Sequence, residues 1–254
     1  VNQLWLVTDP DLISEIRQLT TGRSLYIADG HHRFQTSVQF HKECLQAGLK
    51  PAGSESYDKR MVALFNMESE GLRILPTHRG VRGLDRFNPQ AFLEAAAFRF
   101  EVESLPGEDE LIRVLEKGSH HLGVVLPDGS GGVRLKALHP KAGVLEDASF
   151  MSAVAGPIRR LDVTLLHEGI LGPLLGLDAK AVAGEQYVRY FRDRRELLEG
   201  VLKGDLQVGF VLKATSLEQV REVSEYGAKM PQKSTDFYPK LLTGLVLMKM
   251  DIEQ

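Results

Sequence analysis

The feature that most constrains this chain is an alternation. Short aliphatic runs with strand character alternate with amphipathic stretches at helical spacing, with a few hairpins among them, and Gly, Pro, Asp or Ser marks the joins. Strands are predicted at Leu4 to Val7, Leu25 to Ala28, Met61 to Phe65, Leu72 to Leu75, Phe98 to Val102, Leu122 to Leu126, Val133 to Leu138, Gln186 to Phe191, Gln207 to Leu212 and Leu242 to Met250. Helices are predicted from Asp9 to Leu19, His31 to Gln46, Pro89 to Ala97, Glu108 to Lys117, Arg194 to Leu202 and Leu217 to Tyr226, with another over 161–175 that breaks near Gly172-Pro173. Met61 to Phe65 and Leu72 to Leu75 read as a pair around the turn Glu68 to Gly71. A strand–helix–strand unit recurs near 98–126 and near 186–212. The pattern is that of an α/β (α+β) protein with a mixed sheet. Gly80, Gly83 and Pro89 interrupt it, so we place a boundary there, giving regions 1–85 and 86–254.

Composition excludes several classes. At 254 residues, 43% hydrophobic and 26% charged, the chain is neither disordered nor fibrous. Its longest apolar stretch, Leu241 to Met248, is far short of a membrane span, which needs about 18 residues. A net charge of −3 and no helix-turn-helix signal argue against nucleic acid as a partner. The single cysteine, Cys44, rules out an intrachain disulfide and a cysteine metal cluster, and a cytoplasmic setting is the expectation. The chain opens at Val1 and runs straight into Leu4-Trp5-Leu6-Val7. We read this as the interior of a longer protein, with an open sheet edge or apolar patch expected there.

The sharpest local feature is Asp29-Gly30-His31-His32-Arg33, between a predicted strand and a predicted helix. Potentially cationic side chains in a first turn oppose the helix dipole, at a cost of about 0.3–1 kcal/mol each when charged. A bound anion reverses that sign. Gly30 lets a phosphate approach the backbone, free N–H groups point at it, and Arg33 can grip it with two donors. The alternative is a capped helix with neutral imidazoles packed locally. Pro76-Thr77-His78-Arg79 follows a strand end and supplies a hydroxyl, an imidazole and a guanidinium for a second wall, a solvated loop being the alternative. Lys233-Ser234-Thr235 lacks the glycine-rich turn of a P-loop, but sits on the long segment 228–240, which reads as a ligand lid or as a polar turn. Asp29 and His78 are the candidates for a general base. His167 lies in an apolar stripe and reads as a core histidine, and His41, His120, His121 and His139 carry no functional signal.

Leu25 to Arg33, Pro76 to Arg79, Leu161 to Glu168 and Met230 to Thr235, taken in order, closely resemble the prokaryotic family of unknown function DUF1015. That family is related to the ParB/sulfiredoxin-like superfamily, which includes an ADP-dependent free-serine kinase. The resemblance implies a ParB/sulfiredoxin-like nucleotide-binding unit in 1–85 and a second α+β region after it. In sulfiredoxin the corresponding turn is Gly-Gly-Cys-His-Arg; His31 replaces the cysteine here, so sulfinic-acid reduction is not implied, while the phosphate cradle of Gly30, His32 and Arg33 is. The implied activity is a nucleotide-dependent phosphotransferase or phosphohydrolase acting on a small metabolite such as an amino acid. ATP or ADP would be held by Gly30, His31, His32, Arg33, Thr77, Arg79, Lys233, Ser234 and Thr235, with Mg²⁺ on the phosphates. The runner-up is a non-catalytic nucleotide-sensing module of ParB-like type. The resemblance also implies an N-terminal region ahead of Val1, which in the kinase relatives supplies an acidic catalytic residue, and Asp236 stands where members often have an aromatic residue.

Overall fold

The chain folds around one antiparallel sheet, and the local sequence sets most of its helix ends. A computed structural model describes residues 3–51, 56–118, 120–147, 149–151, 153–154 and 156–249. In chain order the elements are helices α1 (Pro10–Thr20) and α2 (His31–Gln46), strands β1 (Arg73–Leu75) and β2 (His78–Val81), α3 (Pro89–Ala96), β3 (Phe100–Leu105), α4 (Glu108–Glu116), β4 (Leu122–Pro127) and β5 (Val133–Pro140). A 3-10 turn (Gly156–Arg160) leads into α5 (Asp162–Leu166), a π turn (His167–Leu171), α6 (Gly172–Leu175) and α7 (Ala179–Ala183). Then come β6 (Val188–Phe191), α8 (Arg194–Leu202), β7 (Val208–Val211), α9 (Leu217–Glu225) and β8 (Asp236–Tyr238). Asp9, Asn88 and Ser216 cap α1, α3 and α9, the last in a capping box with Gln219. The break expected at Gly172-Pro173 takes the form of a widened turn just ahead of it, because Pro173 has no N–H to give the preceding turn.

Six strands run in the order β3-β5-β4-β7-β2-β6. The α+β class holds. Within it, the sheet expected to be mixed is antiparallel at every pairing, since β5 lies between β3 and β4, and β2 between β6 and β7, the strands that α4 and α8 connect. Alternate residues serve opposite faces. Val124, Leu126, Val208 and Phe210 pack under α3 and the 165–182 segment, whereas Val125, Val211 and Phe191 pack under α4 and α8. Two strand glycines let those last helices sit close. A Cβ on Gly123 would stand 2.6 Å from Leu111 Cδ1, and one on Gly209 3.0 Å from Leu197 Cγ.

The recurring strand–helix–strand unit is β3–α4–β4 and β6–α8–β7. At one constant offset Leu111, Lys117, Gly118, Gly123, Val125 and Leu126 match Leu197, Lys203, Gly204, Gly209, Val211 and Leu212. The sheet order is symmetric about its centre in the same sense: β3 and β6 are its edges, β4 and β7 its middle. Equivalent helices α4 and α8 lie on one face, and the equivalent residues Glu108 and Arg194 pair with each other at 3.1 Å.

Several expectations are corrected. Leu4 to Val7, Leu25 to Ala28 and Met61 to Phe65 are not strands, because no ladder partner lies beside them among the described residues; strand propensity without a partner does not make a strand. Leu72 to Leu75 does not form a hairpin with 61–65; β1 pairs with β8 instead, Leu75 opposite Asp236. The strand expected at 242–250 is absent over 242–249, and Met250 lies outside the described residues. Helix α2 has the expected bounds, but its apolar residues Phe34, Val38 and Leu45 are exposed and only Cys44 is buried. No helix of the described residues is long and apolar enough to cross a membrane.

Candidate functional site

His78, at the start of β2, lies opposite Phe191, the last residue of β6. The chain leaves β6 there through Arg192-Asp193-Arg194-Arg195 and enters α8. The result is a cleft of about 440 Å³ lined by Pro76, His78, Arg192, Asp193, Arg194 and Arg195. Asp193 caps α8 by accepting from the Arg195 N–H at 2.8 Å. Arg194 Nε donates to Glu108 Oε2 at 3.1 Å. Arg192 Nη2 donates to Asp236 Oδ1 at 3.0 Å, and its Nε stands 2.6 Å from Oδ2 as an ion pair. His78 is 4% exposed, and its Nδ1 accepts the Leu212 N–H at 3.2 Å. A neutral ring bonded in that way carries its proton on Nε2. Burial pushes His78 down to about 4, helped by the Arg194 and Arg79 charges and opposed by Asp193. It is therefore a neutral donor near pH 7.

The turn before α2 connects to this cleft through a chain of ions. Gly30 has φ +86°, the left-handed region, and α2 has no side-chain cap. The Arg33 guanidinium folds over the turn, 2.9 Å from where a Cβ on Gly30 would lie, and the left-handed φ is what favours glycine there. Asp29 accepts the Gly30 N–H at 2.6 Å and stands 3.9 Å from Arg33. Burial raises the Asp29 carboxyl, but Lys240, the Gly30 N–H and Arg33 outweigh it and hold the group below the usual carboxylate range. Lys240 Nζ bridges Asp29 at 3.4 Å and Asp236 at 3.1 Å. Asp236 in turn holds Arg192, a wall of the cleft. His31, His32 and Arg33 are exposed.

Next to His78 in β2 is Arg79, 1% exposed. Its guanidinium donates to the Thr77 carbonyl and, at 2.8 Å, to the Lys233 carbonyl, and lies 5.4 Å from the Tyr190 ring centre. Burial lowers its pKa to about 10. Lys233 has φ +55°, and its ammonium lies 5.6 Å from the same ring and 3.9 Å from Glu185. Ser234 is buried, donates to the Pro231 carbonyl at 2.5 Å, and accepts from Thr215 through its own carbonyl at 2.8 Å. Thr235 is half-buried beside it. The 233–238 segment is thus fastened through Arg79, Thr215 and β1. His167 Nε2 is buried without a partner, and burial with the nearby Arg79 charge pushes the ring down to about 3.

The expected residues therefore do not gather in one place. Asp29, Gly30, His31, His32 and Arg33 form an open turn; of the others only His78 lines the cleft, while Thr77, Lys233, Ser234 and Thr235 gather around the buried Arg79, which alternates with His78 along β2 and so serves the other face of the sheet. Arg192, Arg194, Arg195 and Lys240 were not foreseen. The signal for the arginines was in the sequence: α8 opens on Arg194 and Arg195 against its dipole, although Asp193 caps it and Glu196 follows in the same turn. Lys240 carried no local signal.

Fold and cleft together define a class: an α+β protein with a cationic cleft at one end of an antiparallel sheet, beside a helix-opening turn that carries Gly, His and Arg. The family follows from the sequence. The profile of the family described as "Protein of unknown function (DUF1015)" matches residues 1–164, and the chain belongs to that family. Comparison with the curated proteins gives no match. Among solved structures the chain is similar to a free serine kinase in complex with AMP, with 17% identity over 91% of this chain and 81% of that one and a TM-score of 0.45. It is similar to a conserved hypothetical protein from Pyrococcus furiosus, with 17% identity over 96% and 86% and a TM-score of 0.45. It is also similar to a mutant free serine kinase in complex with ADP, with 17% identity over 91% and 81% and a TM-score of 0.44.

Proposed function

We propose that this protein binds a nucleotide through the turn Asp29 to Arg33, a turn of ParB/sulfiredoxin-like type, and uses it as a phosphotransferase or phosphohydrolase on a small metabolite, an amino acid being the acceptor of the kind a free serine kinase takes. The observation that carries the reading is the turn itself. A left-handed glycine opens a 16-residue helix with no side-chain cap, and the Arg33 guanidinium folds over that glycine. The first-turn N–H groups, the imidazoles of His31 and His32 and the Arg33 guanidinium supply donors to phosphate oxygens. Asp29 is the ionised carboxylate at the turn, suited to accept a proton from an acceptor hydroxyl. No group of three or more His, Cys, Asp or Glu among the described residues could hold a metal by itself. A Mg²⁺ here would take Asp29, phosphate oxygens and water, and its role would be to neutralise phosphate charge. The nucleotide-sensing reading keeps the same turn without turnover.

The test is calorimetric titration of ATP, ADP and CTP into the full-length protein and its Arg33→Ala variant, with turnover followed beside it. One charge-assisted hydrogen bond is worth about 1.5–3 kcal/mol, so Kd should rise roughly ten- to a hundredfold. Arg33 is exposed, so the melting temperature should hold. Unchanged affinity with a lowered melting temperature would make the turn structural and sink the reading.

A further inference from the structure

We propose that the cleft between β2 and α8 is a second, separate anion subsite, which takes the carboxylate or phosphoryl group of the small-molecule acceptor through His78, Arg194 and Arg195. This deepens the reading above, and rests on it for the word acceptor. The pocket itself rests on its own geometry.

Three observations point to a ligand. First, His78 is almost fully buried yet lines the cleft, and its Nδ1 is committed to the Leu212 N–H. The Nε2–H left over has no acceptor among the described residues. Second, the guanidiniums around it are under-used. Arg194 spends only Nε on Glu108, and Arg195 makes no side-chain bond among the described residues. Arg192 is different: its hydrogen bond and its ion pair both go to Asp236, so it walls the cleft and is not needed as a ligand. Third, the charge is unbalanced. The carboxylate on the lining, Asp193, is taken up by capping α8. In the related half of the sheet the matching turn carries Glu108, Asp109 and Glu110, the arrangement stability alone favours. A planar or tetrahedral oxyanion would meet one imidazole donor and two guanidinium edges here, which is the geometry that bidentate recognition uses.

The size fits a small molecule. At about 440 Å³ the cleft has room for an amino acid or a phosphorylated one. Asp29 is linked to this cleft by the Lys240–Asp236–Arg192 chain, so an acceptor anchored here by its anion would lie on the same side of the protein as the turn.

The experiment follows His78 by imidazole nitrogen NMR, assigned with His78→Gln, while inorganic phosphate and, separately, acetate are added in an otherwise anion-poor buffer. An oxyanion on Nε2–H should move the ring upward from about 4, toward its ordinary value of 6.5. A response to phosphate alone assigns the site to a phosphoryl group; a response to acetate as well assigns it to a carboxylate. Arg195→Gln, at an exposed position, should weaken the response roughly tenfold, and Arg194→Gln should weaken it likewise. Arg33→Ala should leave it unchanged, while Arg195→Gln should leave ADP affinity unchanged. No movement of His78 with either anion, or an undiminished response in both arginine variants, would overturn the proposal. So would ADP competing with phosphate for His78. A protein that binds no nucleotide but keeps the arginine-dependent response would refute the nucleotide reading and leave this pocket standing.

Discussion

Arg79→Met tests what a buried cation does for this fold. The guanidinium is 1% exposed, and burial has lowered its pKa from 12.5 to about 10. The charged form is thus disfavoured in the folded state by about 3 kcal/mol, which the methionine would recover. Against this, the substitution strands the Thr77 and Lys233 carbonyls, at about 1–3 kcal/mol each when they stay dry. It also removes a contact with the Tyr190 ring worth about 1–2 kcal/mol when desolvated. The opposing effects leave a net loss of about 2 kcal/mol, well below what the contacts alone suggest. Urea unfolding should show that loss, and the melting temperature should fall by about 4–8 °C in a chain of this size. Because Arg79 holds Lys233, hydrogen exchange should rise at Phe237 and Tyr238 before it rises in β4 and β7. A variant as stable as the parent, or one that loosens the whole sheet evenly, would refute the idea that Arg79 is the fastening of the 233–238 segment.

Two further outcomes are expected. Gly123→Ala should cost about 1–3 kcal/mol, because the new methyl would lie 2.6 Å from Leu111 Cδ1 and 3.0 Å from Val211 Cβ; Gly107→Ala, with nothing within 4 Å, is the control and should change little in the same denaturation curves. Stability should also fall in acid in a defined window. His78 and His167 resist protonation in the fold down to about 4 and about 3, whereas the unfolded chain takes up protons near 6.5. Each ring then removes up to about 1.4 kcal/mol per pH unit as pH falls from 6.5 to its folded value, and the stability is fully present above 6.5. His78→Gln should lessen that slope between pH 6 and 4; an unaltered slope would mean that the ring is not held neutral.

Much of this fold could be read locally. Helix α2 begins at His31 and ends at Gln46 because a glycine, a polar first turn and Gly48 frame it, and the repeat of β3–α4–β4 in β6–α8–β7 shows in the spacing of its apolar residues. What could not be read depends on distant partners. His78-Arg79-Gly80-Val81 looks like a polar loop, yet it is a buried strand between β7 and β6. Arg79 is tolerated there by the carbonyl of a residue far along the chain, and a Cβ on Gly80 would stand 2.6 Å from Leu206 Cδ1. The pairing of Leu75 with Asp236 is equally invisible to local pattern. The turn at Asp29 to Arg33 was legible because it defies the helix dipole. The arginines at 192–195 defy it too, and the same reasoning applied there would have found the cleft.

The pair Glu108–Arg194 has a consequence for how such a sheet can change over time. The two residues occupy equivalent places in the two halves, so a sheet built from identical copies would have set like charge against like at its centre. Opposite signs at the two places make a joint instead. The halves differ at the same spot: the one beginning at β3 has the acidic helix start Glu108 to Glu110, and the one beginning at β6 has Arg194 and Arg195. A duplicated scaffold can thus evolve a ligand site on one side while its twin remains the structural ballast, and exchanging the two signs, Glu108→Arg with Arg194→Glu, should preserve the joint while moving the positive field to the other half.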